Sequence, residues 1–180
     1  NEYIYILFNK PRAVMTTMSD KEGRKCVADY FKDLGHRVYP VGRLDYMTDG
    51  LLIMTNDGDL ANALTHPRHQ VYKHYSALVD KIPEEEDIEK LRSGVELSDG
   101  ITLPAKAKAY KTSDGRGVVA ISIREGRNRQ VRRMLEKLGY EVVALRRTGV
   151  GELTADGVEP GEWRYLTPEE VAYLKRISGL

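Results

Sequence analysis

The sequence contains little of what secreted and membrane-spanning proteins require. Cys26 is the only cysteine in 180 residues, so no disulfide can form within the chain, which is typical of a reducing compartment. The longest apolar runs, such as Leu51–Met54, are far too short to span a bilayer. Residues 1–10 show no basic region followed by an apolar core, so no signal peptide is expected. These absences predict a cytoplasmic protein that does not enter membranes.

The chain also lacks internal repeats, linker-like segments and a regular alternation of strands with helices. Its length suits one domain, or two small subdomains that share a core. Predicted strands predominate, and the predicted helices are scattered among short hairpins. The sequence therefore predicts one α+β domain over residues 1–180, built on a largely antiparallel mixed sheet with flanking helices.

Several local patterns predict individual elements. Asp57 is expected to cap a helix over residues 58–65. Asn128 is expected to cap a basic helix over residues 129–138. Strands are predicted at residues 38–44, 51–55 and 71–79, and a hairpin at residues 105–111 and 118–124.

Positive charge is concentrated in one part of a nearly neutral chain. Residues 104–147 contain twelve basic and four acidic residues, a net +8, whereas the whole chain carries +1 and the remainder therefore −7. A basic segment of this kind is typical of a protein with an anionic partner. A solvated helix face is the alternative that charge alone leaves open.

The acidic stretch VGRLDYMTDGLLIMTNDGDLA, residues 41–61, permits three interpretations. A calcium loop that starts at Asp45 is disfavoured because its third position is Met47 and its twelfth is Asn56 rather than glutamate. Asp49-Gly50 is interpreted as an ordinary turn. Asp45 directly follows a predicted strand, which makes it a candidate for a partly desolvated working carboxylate. An ordinary loop aspartate is the alternative.

The stretch REGRNRQVRRMLEKLG, residues 124–139, predicts an amphipathic helix. Its apolar face is formed by Val131, Met134, Leu135 and Leu138. At about 100° per residue, Arg132 lies beside that face, where it can be half-buried and pair with a carboxylate. Arg129 and Arg133 point away from the apolar face and can contact phosphates. The N-terminus of a helix also favours a bound anion. Solvated surface arginines are the alternative.

A zinc site could be formed by three histidines, His66, His69 and His74. Pro67 breaks any helical pairing between them, and the only sulfur ligand in the chain lies far away in sequence. Structural and catalytic zinc ligands usually occur at tighter spacings, so no metal site is predicted.

On the strand predicted at residues 71–79, Lys73 and Tyr75 share one face, and Tyr72 and His74 share the other. Tyrosines on a strand usually serve packing. Beside a basic segment they can instead stack on an unpaired base.

Five short motifs occur in order along nearly the whole chain: NKP at 9–11, GRLD at 42–45, GLLIMTNDGDLA at 50–61, KHY at 73–75 and EGRNRQVRRM at 125–134. Each is weak alone, but the ordered set resembles the RsuA/RluB-type ribosomal RNA pseudouridine synthases. The motif sequences are most similar to those of the RluB-like branch, which modifies large-subunit ribosomal RNA. The resemblance implies the pseudouridine synthase catalytic fold, without the small RNA-binding domain that commonly precedes it in full-length members.

The resemblance also implies roles for residues at matching positions. Asp45 matches the essential aspartate that attacks the target nucleoside, Arg132 the basic residue that ion-pairs with it, and Tyr75 the aromatic that packs on the target base. Arg43 matches an arginine that holds the nucleotide out of its helix, and Leu145 an apolar residue beneath the base. Further RNA contacts are expected from Lys73, Arg127, Arg129 and Arg133.

The implied reaction converts a specific ribosomal RNA uridine to pseudouridine. The C1′–N1 bond breaks, the base turns, and C5 rejoins C1′, so no atom enters or leaves and neither a metal nor a redox cofactor is needed. Asp45 acts as a nucleophile at C1′ or as a base that yields a glycal-like intermediate, and both routes stay open. Either requires an ionised carboxylate, which a neighbouring arginine favours.

Two other function classes are compatible with parts of the sequence. One is an RNA-binding module without catalytic activity, and the other is a metal-dependent hydrolase that uses the histidines and acidic loops. Ribosomal RNA is the expected partner, and a monomer is the simplest expectation for the oligomeric state.

Overall fold

The computed structural model describes residues 2–180. Its strands are β1 (Tyr5–Lys10), β2 (Tyr39–Pro40), β3 (Thr48–Thr55), β4 (Lys73–Val79), β5 (Glu96–Leu97), β6 (Gly100–Ile101), β7 (Lys106–Lys111), β8 (Gly117–Ile123), β9 (Val142–Val150), β10 (Leu153–Thr154) and β11 (Trp163–Tyr165). Its α-helices are α1 (Gly58–Thr65), α2 (Glu85–Ser93), α3 (Gln130–Lys137) and α4 (Pro168–Ile177).

The chain forms two compact units. The first comprises the residues up to Val71 together with Gly149–Leu180, and the second comprises Tyr72–Thr148. Strand β9 begins in the second unit, and its last two residues belong to the first. The prediction of one catalytic domain over residues 1–180 stays a prediction.

The sheet of the first unit is built on β1 and β3. These strands pair antiparallel along the whole of β1, from Tyr5 opposite Thr55 to Lys10 opposite Gly50. β11 pairs antiparallel with the other edge of β1, and β2 pairs with the end of β3. All eight residues of β3 are buried, which explains why residues 51–54 form a continuous apolar run instead of an alternating pattern.

Two capped helices complete the first unit. The Asp57 carboxylate accepts a hydrogen bond from the backbone N–H of Leu60, so the predicted cap of α1 is confirmed. Thr167 and Glu170 form a reciprocal capping box at the start of α4. The apolar faces of both helices join the sheet in one core cluster, which includes Leu7, Leu51, Ile53, Leu60, Leu64 and Leu174.

The sheet of the second unit has the order β9-β4-β8-β7. β4 pairs antiparallel with β8 from Lys73 opposite Ile123 to Val79 opposite Gly117. β7 and β8 form the predicted antiparallel hairpin, and the strand predicted at 71–79 is confirmed as β4. Helices α2 and α3 share one core cluster with one side of this sheet, through residues that include Ala77, Val79, Ile88, Leu91, Ala107, Val119, Ile121, Met134 and Leu145.

The predicted α+β fold with a largely antiparallel mixed sheet is confirmed, but several local predictions are wrong. The strand predicted at 38–44 is reduced to β2, and Asp49-Gly50 lies inside β3 because the turn is formed earlier, at residues 46–47. Asn128 does not cap α3. Arg129 precedes that helix in the left-handed region, with φ 50°. The longest helix in the described part of the chain, α4, has ten residues, and none of the helices there could span a bilayer.

Candidate active site

Asp45 lies in an irregular segment between β2 and β3, and not directly after a strand as predicted. It is half-buried, whereas Arg43 is exposed and Leu44 between them is buried. The backbone N–H of Thr48, the first residue of β3, donates to the carbonyl oxygen of Asp45 at 3.0 Å. The Asp45 backbone is therefore anchored on one side by a buried strand.

The residue before Asp45 is held by a buried threonine. The Thr16 hydroxyl donates to the carbonyl oxygen of Leu44 at 2.7 Å and accepts from the Leu44 N–H at 3.3 Å. On the other side of Asp45, the N–H of Ala13 donates to the carbonyl oxygen of Tyr46 at 2.8 Å. The segment around residues 13–16 thus fixes the backbone immediately before and after Asp45.

Lys10 places a buried cation in the same unit. The residue is completely buried, and its Nζ donates to three carbonyl oxygens, those of Pro11 at 2.8 Å, Val14 at 2.9 Å and Tyr46 at 3.5 Å. Burial lowers the pKa of the ammonium from 10.5 to about 8, and the charges of Asp49 and Asp45 oppose that decrease. Lys10 therefore joins the chain segments around Asp45 and also interacts electrostatically with its carboxylate.

In the second unit, α3 carries Arg132 on the edge of its apolar face. Val131, Met134 and Leu135 are buried in the core, and Arg132 is only 9% exposed. The helical spacing correctly predicted that Arg132 lies beside the apolar face, although the residue is more deeply buried than expected. Arg129, at the N-terminus of the helix, is exposed.

Arg133 forms an ion pair that the helical spacing did not predict, and its expected contact with phosphates stays a prediction. Its Nη1 and Nη2 atoms form two hydrogen bonds with the carboxylate of Asp99, at 3.0 and 3.1 Å. Arg127 pairs with the same carboxylate at 3.1 Å. The hydrogen bonds from Arg133 and then Arg127 lower the pKa of Asp99 to about 2. Both guanidinium groups are therefore oriented by one acid.

Arg127 also links the segment that precedes α3 to β6. Its guanidinium donates to the carbonyl oxygens of Gly100 at 2.9 Å and Ile101 at 2.7 Å, and pairs with Glu125 at 3.0 Å. Glu125 in turn accepts from the side-chain amide of Gln130 at 2.9 Å. This network fixes the start of α3 in place of the predicted asparagine cap.

The side of β4 that carries Lys73 and Tyr75 faces the core of the second unit. Tyr75 is half-buried and packs against the same cluster that contains Leu145, which is 3% exposed. Both residues expected to contact the target base are therefore associated with the same core cluster, and their contact with a base stays a prediction. Burial and the positive charge of Arg147 lower the pKa of Lys73, and Glu125 opposes that decrease.

The predicted site residues belong to both units. Asp45 and Arg43 lie in the first unit. The second unit holds Lys73, Tyr75, Arg127, Arg129, Arg132, Arg133 and Leu145. The ion pair expected between Asp45 and Arg132 stays a prediction.

The sequence interpretation gave no role to Lys10, Thr16 or Asp99. Lys10 had a usable signal, because it ends an apolar strand directly before a proline inside the NKP motif. Thr16 and Asp99 had none, since their partners lie 28 to 34 residues away in the chain. Such contacts are formed only by tertiary folding.

The histidines of residues 66–74 have partners within the protein. Among residues 2–180, no three His, Cys, Asp or Glu side chains are grouped as ligands for a metal ion. His69 instead hydrogen-bonds through Nδ1 to the carbonyl oxygen of Ala63 at 2.8 Å, and His66 caps the short helical turn that follows it.

Sequence comparison places these features among enzymes that modify RNA. A family model described as RNA pseudouridylate synthase matches residues 4–137. The chain is 45% identical over 179 residues to ribosomal large subunit pseudouridine synthase B of Bacillus subtilis (strain 168), covering 98% of this chain and 73% of that protein. It is 42% identical over 175 residues to ribosomal large subunit pseudouridine synthase E of Vibrio parahaemolyticus, covering 88% and 72%.

Comparison of structures gives the same result. A crystal structure of a pseudouridylate synthase superposes with a TM-score of 0.86 at 32% sequence identity, and the match covers 96% of this chain and 74% of the other. The similarity thus extends from sequence motifs to the arrangement of nearly all strands and helices.

Proposed function

Because the chain belongs to the RNA pseudouridylate synthase family, we propose that it isomerises a specific uridine of large-subunit ribosomal RNA, with Asp45 as the catalytic carboxylate. The substrate follows from the two relatives, whose names give the large ribosomal subunit as their target. The observation that supports the assignment to Asp45 is the set of hydrogen bonds that fixes the chain around it. Thr16 bonds to Leu44, Thr48 to Asp45 itself and Ala13 to Tyr46.

A catalytic carboxylate must meet C1′ of the target nucleoside in one orientation, and a fixed backbone on both sides of the residue supplies it. Asp45 acts as a nucleophile at C1′ or as a base toward the ribose. In both routes the C1′–N1 bond breaks, the freed uracil turns, and C5 forms a new bond to C1′. In the first route that bond displaces the Asp45 carboxylate from C1′, and in the second Asp45 returns the proton that it took from the ribose. The proton on C5 is then lost, and N1 takes up a proton. The product is an isomer of the substrate.

The other site residues act on binding and orientation. Arg132 is the proposed partner of the Asp45 carboxylate, and Tyr75 with Leu145 packs on the two faces of the base. Arg43 holds the flipped nucleotide. Unstacking a base costs a few kcal/mol. Phosphate contacts from the basic residues offset that cost, and we assign them to Lys73, Arg127, Arg129 and Arg133.

We further propose that residues 1–180 act as a monomeric catalytic domain in the cytoplasm, without a metal or organic cofactor. Uridine isomerisation is redox-neutral and transfers no group to or from the enzyme as a net result. The residues assigned above supply a carboxylate, a cation and a stacking surface, which are the groups that this chemistry uses. Sedimentation of the active protein tests the monomer.

The decisive experiment incubates the protein with unmodified large-subunit ribosomal RNA fragments in EDTA and maps pseudouridine at single-nucleotide resolution. Wild-type protein should modify one uridine, and Asp45→Asn should give no product while binding RNA with the wild-type affinity. Asp33→Asn, a change of the same kind at an exposed position of the first unit, should retain full activity.

Two outcomes would overturn the proposal. No pseudouridine with wild-type protein on any fragment, together with tight binding, would favour a binding module. Activity that disappears with EDTA and returns with a divalent metal would favour a metal-dependent enzyme.

A further inference from the structure

One side of the second unit's sheet carries none of that unit's helices. Both α2 and α3 pack on the side of Ala77, Val119 and Ile121. Side chains alternate along a strand, so the neighbouring residues of β4, β8 and β7 face the opposite side. This open face, as we call it, is formed by residues that include Tyr72, His74, Lys106, Lys108, Ser122 and Arg124.

Contacts between the side chains and the register of the strands show that these residues share one side. His74 lies opposite Ser122 in the sheet register, and its Nδ1 is hydrogen-bonded to the Ser122 hydroxyl at 2.6 Å. Lys106 lies opposite Ser122 on the next strand. All three belong to one cross-strand row, and Tyr72 stands beside it.

Two aromatic rings lie nearly parallel on the open face. The Tyr72 and His74 rings are inclined by 12°, with centroids 6.3 Å apart. Nζ of Lys106 lies 4.7 Å from the centroid of the Tyr72 ring, and the guanidinium carbon of Arg124 lies 5.9 Å from it. These cation–π contacts place two positive charges over the tyrosine ring.

The cations of the open face are not neutralised by acids. In residues 2–180, Lys106, Lys108 and Arg124 form no ion pair with a carboxylate, in contrast to Arg127 and Arg133, which share Asp99. Lys106 and Lys108 are exposed. An excess of positive charge on a sheet surface is expected to attract a polyanion.

We propose that the open face binds a single-stranded segment of RNA, with a base stacked on the Tyr72–His74 pair and phosphates bound by Lys106, Lys108 and Arg124. Base stacking on aromatic side chains next to a basic surface is a general way to bind unpaired nucleotides without reading their sequence. A protein partner fits less well, because the charge is of one sign and the aromatic surface is small.

The open face is separate from the residues assigned to the reaction. Tyr75 and Lys73 occupy the other side of β4, where Tyr75 contacts the core of the second unit. The proposed role is therefore to hold RNA outside the target nucleotide. It would raise affinity for a long substrate without changing the chemical step.

The test measures the affinity of the full chain for a fluorescent twelve-nucleotide oligocytidine over a range of salt concentrations. This probe contains no uridine, so the outcome does not depend on isomerase activity. The double variant Lys106→Glu/Lys108→Glu should bind at least about tenfold more weakly, and its slope of log affinity against log salt should fall by about 1.5. Tyr72→Leu should weaken binding about tenfold with little change in slope.

The matched control is Lys111→Glu, which changes the same charge on the same strand but on the opposite side from Lys106 and Lys108. It should retain wild-type affinity, and all variants should melt at the wild-type temperature. The proposal would be overturned if the double variant bound the oligocytidine with unchanged affinity, or if Lys111→Glu lost as much affinity as the double variant. Either result would mean that the open face does not bind RNA.

Photocrosslinking gives an independent measurement. Trypsin cleaves after Lys73, so Tyr72 and Tyr75 appear in different peptides. Ultraviolet irradiation with the oligocytidine should modify the peptide that contains Tyr72. The other peptide contains both His74, which belongs to the open face, and Tyr75, so fragment ions must assign its crosslinks to single residues. Crosslinks confined to Tyr75 would place the RNA on the other side of the sheet and contradict the inference.

Discussion

The hydroxyl of Thr16 makes both backbone hydrogen bonds of Leu44: it donates to the carbonyl oxygen and accepts from the N–H. The next residue is Asp45, whose own carbonyl oxygen accepts from the first residue of β3. A buried side chain 28 positions away in sequence thereby determines the path of the backbone into the proposed catalytic residue.

Thr16→Val tests this relationship with little change of shape. It leaves two buried backbone groups of Leu44 without a partner, which should cost about 1–3 kcal/mol of stability. If Asp45 is displaced as a result, kcat should fall by about 10- to 100-fold with little change in KM. Thr16→Ser keeps the hydroxyl and should restore kcat. A valine variant with wild-type kcat would show that the hydrogen bonds do not position the carboxylate.

Lys10 should give the protein a distinctive alkaline stability profile. Its pKa is about 8 in the folded state against 10.5 ordinarily, so between these pH values the unfolded chain binds more protons than the folded chain. The contribution of Lys10 to the free energy of unfolding is therefore lowest below pH 8. It increases up to about pH 10.5, by at most about 3 kcal/mol.

The variant Lys10→Met isolates that effect. The free energy of unfolding of the wild type, minus that of the variant, should rise from pH 8 to pH 10.5 in urea titrations, because every other titrating group is common to both proteins. A difference that stays flat across this range would mean that the ammonium group is not desolvated in the folded protein.

The N-terminus of α4 should lose stability in acid. Glu170 accepts two hydrogen bonds from Arg164, at 2.8 and 2.9 Å, and these bonds are the main cause that lowers its pKa to about 2. A carboxylate whose pKa is lowered by folding stabilises the protein at pH values above its ordinary pKa of 4.5. That stabilisation is lost as the pH falls toward 2.

Glu170→Gln should therefore destabilise the protein at pH 7 by about 1 kcal/mol, since the pair is partly exposed and screened by solvent. The deficit should shrink as the pH falls from 4.5 toward 2, when thermal unfolding is followed at each pH. Glu169→Gln, an exposed neighbour in the same turn, serves as the control. An equal deficit at all pH values would assign the effect to side-chain packing.

Arg129 and Arg133 should differ in their contribution to RNA binding. Arg129 is exposed at the start of α3, and Arg133 is half-buried beside Asp99. Replacing Arg129 by glutamine should weaken binding of a ribosomal RNA fragment and reduce the salt slope by about 1, as expected for one phosphate contact. Arg133→Gln should have a smaller effect on the slope, because Asp99 already neutralises part of its charge.

The same measurement can reject this assignment. A salt slope that is unchanged in Arg129→Gln would remove that residue from the phosphate contacts. Asp99→Asn supplies the reciprocal control, because it releases Arg133 without deleting it and should increase the salt slope. A decrease in that variant would show that Asp99 is needed to orient the two arginines for RNA.

Local patterns predicted the features that depend on nearby residues. Asp57 capped α1 as expected, because a carboxylate in the N-cap position bonds to an N–H only three residues ahead. The helical period likewise predicted Arg132 beside the apolar face of α3. The turn at Asp49-Gly50 was predicted wrongly because β3 is covered on both faces, and burial of a whole strand outweighs a local turn preference.

The sequence by itself determined the family, the α+β class, the Asp57 cap of α1 and the identity of the groups available for chemistry, since these depend on ordered motifs and on periods of a few residues. Tertiary structure decided where the buried cation of Lys10 lies, which threonine holds Leu44, and that one acid orients both Arg127 and Arg133. It also decided that one side of the second sheet is left to charged and aromatic residues. Each of these depends on partners that are distant in the chain, and no local preference selects such partners before the core has formed.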